Sequence, residues 1–526
     1  MEIAYQKTLY PTGATRAILV ITAISCALLE LIDVTVVNVA LREISGNIGA
    51  TITEIAWVVT SYGIANVIMI PLSAMLSNLL GRKRYFTGSV ILFTTASLMC
   101  GLSDNLWTLV FWRFIQGLGG GGLLSTAQSI IIGAYPPEKI GTATAIFGLG
   151  VILGPTLGPS LGGYITDNFS WHWIFFVNVP IGALAALSSW RFVPDLAGAV
   201  KPKRIDWWGI GLLILSIGPL QYVLEEGGSK DWFSSREITV MTIISIVSTV
   251  AFIWRELSID YPAVEIRLYR NYNLAMGSIL NVILGMLLMG TVFIFPLFVQ
   301  TALGWTATKT GTFMIPGALA TAVGMIFIGR FSAGRNPKVF IIIGILLTFM
   351  FLLLLSFSSP DSGSRNFFFP FILRGVGMAF MMMPILTLAL SGLKGKDLAQ
   401  ASGLSNMMRQ LGGAFGIALI NIYLDRLNAN ARANMVGNIS DYNMLSTDRV
   451  SQLTQNFYAA GYSMEDATSA AYQIMESTLT RQEMILSYSQ GFFGVAMVVL
   501  VCIPVVFFIR YKKPTPGEKQ EEFSAH

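Results

Sequence analysis

Residues Ile18 to Ala40 read ILVITAISCALLELIDVTVVNVA, an almost wholly apolar stretch that carries two acids, Glu30 and Asp33. A helix of about 20 apolar residues crosses the hydrocarbon core of a bilayer, so this stretch is long enough to span it. Ionisable side chains inside such a helix are costly and tend to mark function. The stretch therefore predicts a membrane-spanning helix with functional acids.

The composition of the whole chain has the same character. Of its 526 residues, 54% are hydrophobic and 12% are charged, whereas soluble proteins average about 25% charged residues. A soluble chain this apolar would expose large apolar patches, which excludes a cytosolic enzyme or a nucleic-acid-binding protein. The three cysteines, Cys26, Cys100 and Cys502, all lie in apolar runs and predict neither a disulfide framework nor a metal site.

Fourteen stretches are long and apolar enough to cross the membrane, which predicts an all-α polytopic membrane protein. The seventh and eighth are the shortest, and the alternative count of twelve would place those two on the membrane surface. The predicted spans are Ile18–Ala40, Ile55–Leu76, Tyr85–Leu102, Leu106–Ala134, Ile140–Ile165, Trp171–Trp190, Trp207–Leu224, Ile238–Trp254, Tyr272–Leu303, Gly311–Gly329, Val339–Phe357, Phe367–Leu393, Leu398–Leu424 and Met484–Ile509.

Loop charges give the orientation of these spans. Most of the 34 Lys and Arg residues fall in segments that are cytoplasmic if both termini are cytoplasmic, as the positive-inside rule requires. The +5 net charge therefore reflects basic cytoplasmic loops rather than nucleic-acid binding.

A weak internal repeat divides the chain. An Arg-bearing span with RFIQG (Arg113 to Gly117) precedes a Gly-rich span, and a second Arg-bearing span with RGVG (Arg374 to Gly377) precedes another, with LGGAFG from Leu411. Parallel repeats of this kind place the substrate site at their interface near the midplane. We expect a six-helix bundle in residues 1–190, a cytoplasmic linker with two inserted helices in 191–256, and a second six-helix bundle in 257–526. A long outer loop, 425–483, is a partner-binding segment or a cap.

Three ionisable residues are the strongest functional candidates. Asp33 lies eight residues before the outer end of the first span and Arg113 eight residues after the outer end of the fourth. At about 1.5 Å per residue the two lie at the same depth, so they can meet. We expect Asp33 to carry the proton and Arg113 to tune its pKa; the alternative is a static buried ion pair. Glu30 is a second proton site, a counter-charge for cationic substrates, or structural.

Polar, aromatic and flexible side chains within the spans predict the substrate cavity. An amide that faces lipid without a partner is costly, and methionine suits a pocket that accepts many apolar shapes. Arg374 has no acid in its own half to pair with, so its partner is a carbonyl, a substrate anion, or an acid across the interface. The predicted cavity residues are Asn38, Tyr62, Asn66, Gln116, Gln128, Asn281, Phe295, Gln300, Arg374, Met383 and Asn406.

The fifth span reads GLGVILGPTLGPSLGG from Gly148 to Gly163. Its glycines recur one helical turn apart, which lets another helix approach closely, and its prolines predict kinks. Ordinary helix packing would also account for the spacing. The motif residues are Gly150, Gly154, Pro155, Gly158, Pro159, Gly162 and Gly163.

Together these motifs resemble the major facilitator superfamily, and within it the fourteen-span drug:proton antiporters of EmrB/QacA type, over essentially the whole chain. LIDVTVVNVA (Leu31 to Ala40) is similar to the family's first-span motif, LVFWRFIQGLGGG (Leu109 to Gly121) to its fourth-span motif, and Gly150 to Gly163 to its fifth-span antiporter motif. The family's loop motif is only half present. Gly81, Arg82 and Lys83 fit it, but Ala74 and Asn78 replace the expected Gly and Asp.

The resemblance implies a major facilitator fold with 14 transmembrane helices and a proton-coupled multidrug efflux antiporter that works by alternating access. Its energy source would be the proton gradient, with no cofactor, and its substrates hydrophobic or amphipathic compounds. WFSS (Trp232 to Ser235) and the long outer loop resemble EmrB-like exporters, which implies the inner (plasma) membrane, a periplasmic EmrA-like adaptor and an outer-membrane channel. The alternatives are a dedicated exporter of an endogenous fatty acid, bile salt, siderophore or lipid, and a transport-dead sensor.

Overall fold

The computed structural model describes residues 11–136, 140–194, 205–332, 335–391, 393, 395–437, 439 and 443–509. These residues form helices and no strand, which confirms the all-α prediction. The predicted cytoplasmic location of the termini and residues 195–204 of the predicted linker lie outside the described ranges.

The first half of the chain consists of long helices separated by short loops. Asn105 begins one of them by accepting a hydrogen bond from the Thr108 N–H, and Gly49, with φ of 74°, ends another, a left-handed conformation that suits glycine. The helices are α1 (Gly13–Ile48), α2 (Ile52–Ile55), α3 (Trp57–Leu80), α4 (Arg82–Gly101), α5 (Leu106–Gly120), α6 (Leu123–Gly133), α7 (Ile140–Asn168), α8 (Trp173–Phe176) and α9 (Asn178–Phe192).

Two helices lie between the halves, and the second half follows. Short 3₁₀ turns at Trp232–Ser234 and Ile266–Arg270 flank the second inserted helix. The inserted helices are α10 (Trp207–Glu226) and α11 (Arg236–Ser258). The remaining helices are α12 (Tyr272–Thr301), α13 (Ala307–Phe331), α14 (Pro337–Ser356), α15 (Ser364–Ala389), α16 (Gly395–Val436), α17 (Met444–Ala459), α18 (Met464–Val501) and α19 (Ile503–Phe507).

Among the described residues, eleven helices are long and apolar enough to cross a membrane. The count of fourteen therefore remains a prediction. Its other three spans fall on α4, on α5 with α6, and on α16. The predicted fourth span is interrupted at Gly121 and Gly122. A β-carbon at Gly121 would overlap the Asn66 carbonyl oxygen, and one at Gly122 the Tyr85 hydroxyl, so the glycines permit close helix approach at the break.

The two halves use the same packing scheme. Helix α1 packs on α7 in the first half, and α12 packs on α16 in the second. The halves meet along two seams, α7 against α13 and α3 against α16. Each half thus contributes one Gly-rich helix to a seam, α7 from the first and α16 from the second.

The glycines of α7 lie against α1, the helix that carries both acids. A β-carbon at Gly154 would overlap Leu31, one at Gly158 would overlap Thr35, and one at Gly162 would lie 3.0 Å from the Val36 carbonyl oxygen. The strip thus brings the backbones of α7 and α1 together just beside Asp33. Helix α7 runs unbroken through Pro155 and Pro159.

We expect Gly158→Ala to destabilise the protein by about 1–3 kcal/mol, the usual effect of overpacking a tight contact. A β-carbon there overlaps Thr35 and comes within 3.2 Å of the Ile32 carbonyl oxygen. Gly150→Ala is the matched control, because its β-carbon would meet only Ile24, at an ordinary 3.5 Å. Thermal unfolding of the purified variants, followed by tryptophan fluorescence, measures both; equal midpoints would contradict the close-packing role of Gly158.

Candidate functional site

A buried ion pair joins α1 to α5. Arg113 Nη1 lies 2.5 Å from Asp33 Oδ2, and each residue is 1% exposed. The structure thus brings together the two residues that the sequence places at equal depth. A buried pair of this kind is tolerated only when further hydrogen bonds satisfy its remaining polar atoms.

Those hydrogen bonds come from two other helices, α3 and α9, and from α5 itself. Asp33 Oδ1 accepts from Gln116 Nε2 at 2.9 Å and from Asn178 Nδ2 at 3.0 Å. Arg113 donates through Nε to the Val58 carbonyl oxygen at 3.1 Å and through Nη1 to Gln116 Oε1 at 2.8 Å. The carboxylate therefore has three donors, and the guanidinium connects it to the backbone of α3.

An aromatic face completes the surroundings of the guanidinium. Arg113 lies over the Tyr62 ring at 4.2 Å and near the Phe175 ring at 5.8 Å. Such cation–π contacts favour the charged guanidinium where water is excluded. Asn178 is not among the predicted site residues, although it is an amide within a predicted span, the signal that marked the others.

Glu30 lies one turn along α1, in a separate but adjoining set of contacts. Its Oε1 accepts from Asn66 Nδ2 and its Oε2 from the Leu124 N–H, both at 3.0 Å. Leu124 is in the first turn of α6, which begins at the glycine break. Free N–H groups and the helix dipole make such an end favourable for a carboxylate. Arg409 of the second half lies close enough for its charge to act on Glu30.

A buried polar layer bridges the halves beside Glu30. Gln128 Oε1 accepts from the Ser402 hydroxyl at 2.6 Å and from Asn406 Nδ2 at 2.8 Å. Arg409 Nη2 in turn donates to Asn406 Oδ1 at 2.8 Å. Within the described part of the chain, Gln128 Nε2 and Arg409 Nε have no hydrogen-bond acceptor. This layer, Gln128 with Ser402, Asn406 and Arg409, thus retains donors for a ligand.

Arg374 occupies in the second half the place that Arg113 has in the first. It is buried, and its Nε donates to the Thr291 hydroxyl of α12 at 3.0 Å. Its guanidinium lies 5.7 Å from the centre of the Phe371 ring. A threonine hydroxyl thus stands where the first half has the carboxylate of Asp33, and the two halves are chemically unequal.

Several predicted cavity residues lie outside this network. Phe295 is fully buried in an aromatic core, 4.3 Å from Phe371 between ring centres, and Met383 is fully buried as well. Asn281 donates to the Gly277 carbonyl oxygen of its own helix at 3.0 Å. Gln300 is half-buried and Asn38 is exposed. The structure does not bring these five residues together with Asp33 and Glu30.

The partial loop motif lies between α3 and α4. Gly81 has φ of 88°, a conformation that favours glycine. The buried Arg82 donates to the Pro194 carbonyl oxygen through Nε at 3.2 Å and Nη2 at 3.0 Å, and Lys83 lies 5.0 Å from the Trp190 ring centre. In place of the missing motif Asp, contacts with the end of α9 therefore hold this loop.

Comparison with known proteins identifies the family to which this fold belongs. The Major Facilitator Superfamily model matches residues 23–417. The chain belongs to the major facilitator superfamily. It is 32% identical over 501 residues to the fatty acid resistance protein FarB of Neisseria gonorrhoeae, covering 95% of this chain and 97% of that protein. It is 33% identical over 501 residues to the multidrug export protein EmrB of Escherichia coli K12, covering 95% and 96%. The predicted resemblance to EmrB-type proteins is confirmed.

Solved structures agree on the fold. The human organic anion transporter MFSD10 (TETRAN) matches with a TM-score of 0.54 at 14% identity, covering 93% of this chain and all of that one. A bacterial homolog of the human lysosomal transporter Spinster, in an inward-facing and unoccupied conformation, matches with a TM-score of 0.53 at 15% identity, covering 96% and 100%. The family match, the EmrB relative and the apolar helices show that the chain is a transporter of the major facilitator superfamily and a multi-pass protein of the inner (plasma) membrane.

Proposed function

We propose that this major facilitator protein is a proton-coupled exporter of hydrophobic or amphipathic compounds that works by alternating access. The observation that carries the proposal is the Asp33–Arg113 pair, 1% exposed at both residues and held by two further helices, α3 and α9. An ionisable pair in this position is costly to keep and is typical of a coupling site. The proton gradient supplies the energy and no cofactor takes part.

The coupling step is an exchange of partners at Asp33. A buried carboxylate needs either the cation of Arg113 or a bound proton to neutralise its charge, so the two compete for Asp33. A proton that enters Asp33 therefore releases Arg113, and the return of Arg113 expels the proton. Because Arg113 also binds the Val58 carbonyl oxygen, its movement shifts α3, which forms one of the two seams between the halves.

The energy is adequate for export. One proton that moves inward across 100 mV releases about 2.3 kcal/mol from the potential alone. Alternating access requires that seams open and close. Small side chains favour this, since the α7–α13 seam has glycines near both ends, with Gly148 against Met325 and Gly311 against Ser160.

The polar layer between the halves is the proposed substrate site. Its unpartnered donors at Gln128 and Arg409 supply orientation, and Glu30 beside it supplies a counter-charge. The names of the relatives, multidrug export for EmrB and fatty acid resistance for FarB, support export of lipophilic compounds in general.

A dedicated exporter of an endogenous amphipathic acid is the second candidate. Arg374 and Arg409 are both buried, and within the described residues neither forms a salt bridge with an acid. A substrate carboxylate would pair with either. The FarB relative adds support for this candidate.

A periplasmic EmrA-like adaptor and an outer-membrane channel are the proposed partners. Helices α16 and α18 continue well beyond their predicted spans, and α17 packs on α18. Large apolar side chains remain exposed there, including Met444, Leu445 and Tyr458. Such a surface favours contact with another protein.

The function is tested with purified protein in liposomes that contain a pH indicator. Lipophilic cations, uncharged hydrophobic drugs, fatty acids and bile salts are added in turn. We expect several chemical classes to drive proton movement that protein-free liposomes lack. A response to amphipathic acids alone would favour the dedicated exporter, and transport of compounds without any proton movement would refute the coupling.

A further inference from the structure

Two consecutive acids end the first inserted helix, far from the Asp33 site in sequence. Glu225 and Glu226 of α10 lie against α3. A β-carbon at Gly63 would be 2.7 Å from Glu225 Oε1, and the Thr60 hydroxyl donates to Glu226 Oε1 at 3.4 Å. The coupling network described above does not use either acid.

The pair of Glu225 and Gln221 lacks one hydrogen-bond donor. Gln221 Nε2 donates to Glu225 Oε1 at 2.6 Å. The other oxygens of these two groups, Gln221 Oε1 and Glu225 Oε2, are buried and have no partner among the described residues. Gln221 is only 5% exposed, so water does not readily replace the missing donor. A carboxylic acid and an amide can form two hydrogen bonds, and a proton on Glu225 Oε2 would supply the second.

No cation neutralises Glu225 among the described residues. Its charged neighbour is Glu226, which accepts hydrogen bonds from Thr60 and from the Ser229 hydroxyl at 3.1 Å. Lys230 donates instead to Glu237 Oε2 at 2.7 Å and to the Tyr222 hydroxyl at 2.6 Å. The bond to Glu237 raises the pKa of Lys230.

The other helices that pack on α10 also supply no cation to neutralise Glu225 among the described residues. Arg409 of α16 is bound to Asn406, and Glu237 of α11 is bound to Lys230. The residues of α3 that reach the acids are Thr60 and Gly63, neither of which is charged. Ionised Glu225, which is half-buried, would therefore place a second negative charge beside the buried Glu226.

One short segment of α3 links these acids to the coupling site. Trp57 stacks on Tyr222 of α10 with ring centres 5.4 Å apart. On the same segment, the Val58 carbonyl oxygen accepts from Arg113 and the Tyr62 ring lies under its guanidinium. A change in how α10 packs on α3 is thus transmitted directly to the partner of Asp33.

We propose that Glu225 is a second proton-binding site, in which the carboxyl proton closes a double hydrogen bond with Gln221 and holds α10 against α3. Protonation removes the repulsion between Glu225 and Glu226 and gives both unpartnered oxygens a hydrogen bond. When the proton leaves, the repulsion and the unpartnered oxygens return, and the contact between α10 and α3 loosens. The consequence for transport rests on the proposed proton coupling, whereas proton binding itself does not.

Proton binding is tested by infrared difference spectra of the full-length protein in lipid, recorded between low and high pH. The wild type should show the carbonyl stretch of a protonated carboxyl group that disappears as pH rises. Other protonated carboxyl groups, including Asp33, also absorb here, so Glu225→Gln should remove one component of this band, and Glu226→Gln should keep that component. Gln221→Leu deletes the amide partner, so the Glu225 band should disappear at a different pH in this variant. An unchanged band in Glu225→Gln would overturn the proposal.

Transport measurements distinguish the role of Glu225 from that of Asp33. Glu225→Gln retains two hydrogen bonds with Gln221 and mimics the protonated acid, so we expect transport to continue but its pH midpoint to shift by about one unit, a tenfold change in proton concentration. Glu476→Gln, in the exposed pair with Arg432, should leave the midpoint unchanged. A Glu225→Gln midpoint equal to that of the wild type would overturn the link to transport. If Asp33→Asn leaves coupled transport intact, the proposed function fails, while the infrared result still decides whether Glu225 binds a proton.

Discussion

Asp33→Asn is expected to abolish compound-driven proton movement in liposomes, with a loss of at least about 100-fold, equivalent to about 2.7 kcal/mol. Asparagine cannot take up and release a proton at this position. Its side-chain oxygen still accepts from Gln116 and Asn178, which donate to Asp33 Oδ1 in the wild type. Arg113 loses its counter-charge in this variant, so we also expect a lower thermal unfolding midpoint.

The control for this prediction is a carboxylate outside the network. Glu237→Gln removes an acid whose side chain is 48% exposed in its pair with Lys230, and it should leave proton movement unchanged. Thermal unfolding of Asp33→Asn should show a protein that is less stable than the wild type but still folded, because Arg113 loses its counter-charge and keeps the Val58 carbonyl oxygen and Gln116 as acceptors. Wild-type proton movement in Asp33→Asn would mean that the Asp33–Arg113 contact is a static ion pair.

The pairing of Asp33 with Arg113 was predictable because helix rise is uniform. Residues at equal distances from the same membrane surface lie at equal depth, and few partners exist for a charge within a bilayer. The same argument found Arg374 but not its partner, because the second half replaces the acid with the hydroxyl of Thr291. A hydroxyl carries no charge signal in the sequence.

The surroundings of Glu30 were less predictable from the sequence, because they depend on how the helices pack in the tertiary structure. Its backbone donor, the Leu124 N–H, is free because a run of glycines interrupts the predicted fourth span. Glycines in a membrane helix predict close packing but not where the helix will break. The packing of Asn66 and Tyr85 against those glycines decides that.

The sequence says little about which face of a membrane helix is buried. Asn38 and Phe295 were both assigned to the cavity; Asn38 is exposed and Phe295 lies in an aromatic core, so their role in a cavity stays a prediction. A membrane helix is apolar on all sides, so its sequence carries little information on which side faces lipid, a neighbour or a cavity. Polar layers such as that of Gln128 and Asn406 are visible only once the two halves are placed together.

Arg113→Met is expected to destabilise the protein strongly, by about 3–5 kcal/mol, because it leaves the charge of Asp33 buried without its partner. Methionine fills much of the volume of arginine and retains contact with the Tyr62 ring. The loss of stability should therefore come mainly from the missing positive charge. The two remaining donors to Asp33, Gln116 and Asn178, are neutral amides and offset only part of the cost. The measurement is the thermal unfolding midpoint of the purified protein.

The double variant Asp33→Asn with Arg113→Met separates charge from packing. Since no buried charge is left unpaired, we expect it to recover most of the stability that Arg113→Met loses, while proton movement stays absent. The coupling energy from this cycle should exceed about 1 kcal/mol, because the residues are in direct contact and share partners. If the double variant is as unstable as Arg113→Met, the guanidinium acts mainly through its bond to the Val58 carbonyl oxygen and its stacking on Tyr62, and the charge pair is not what holds α1, α3 and α5 together.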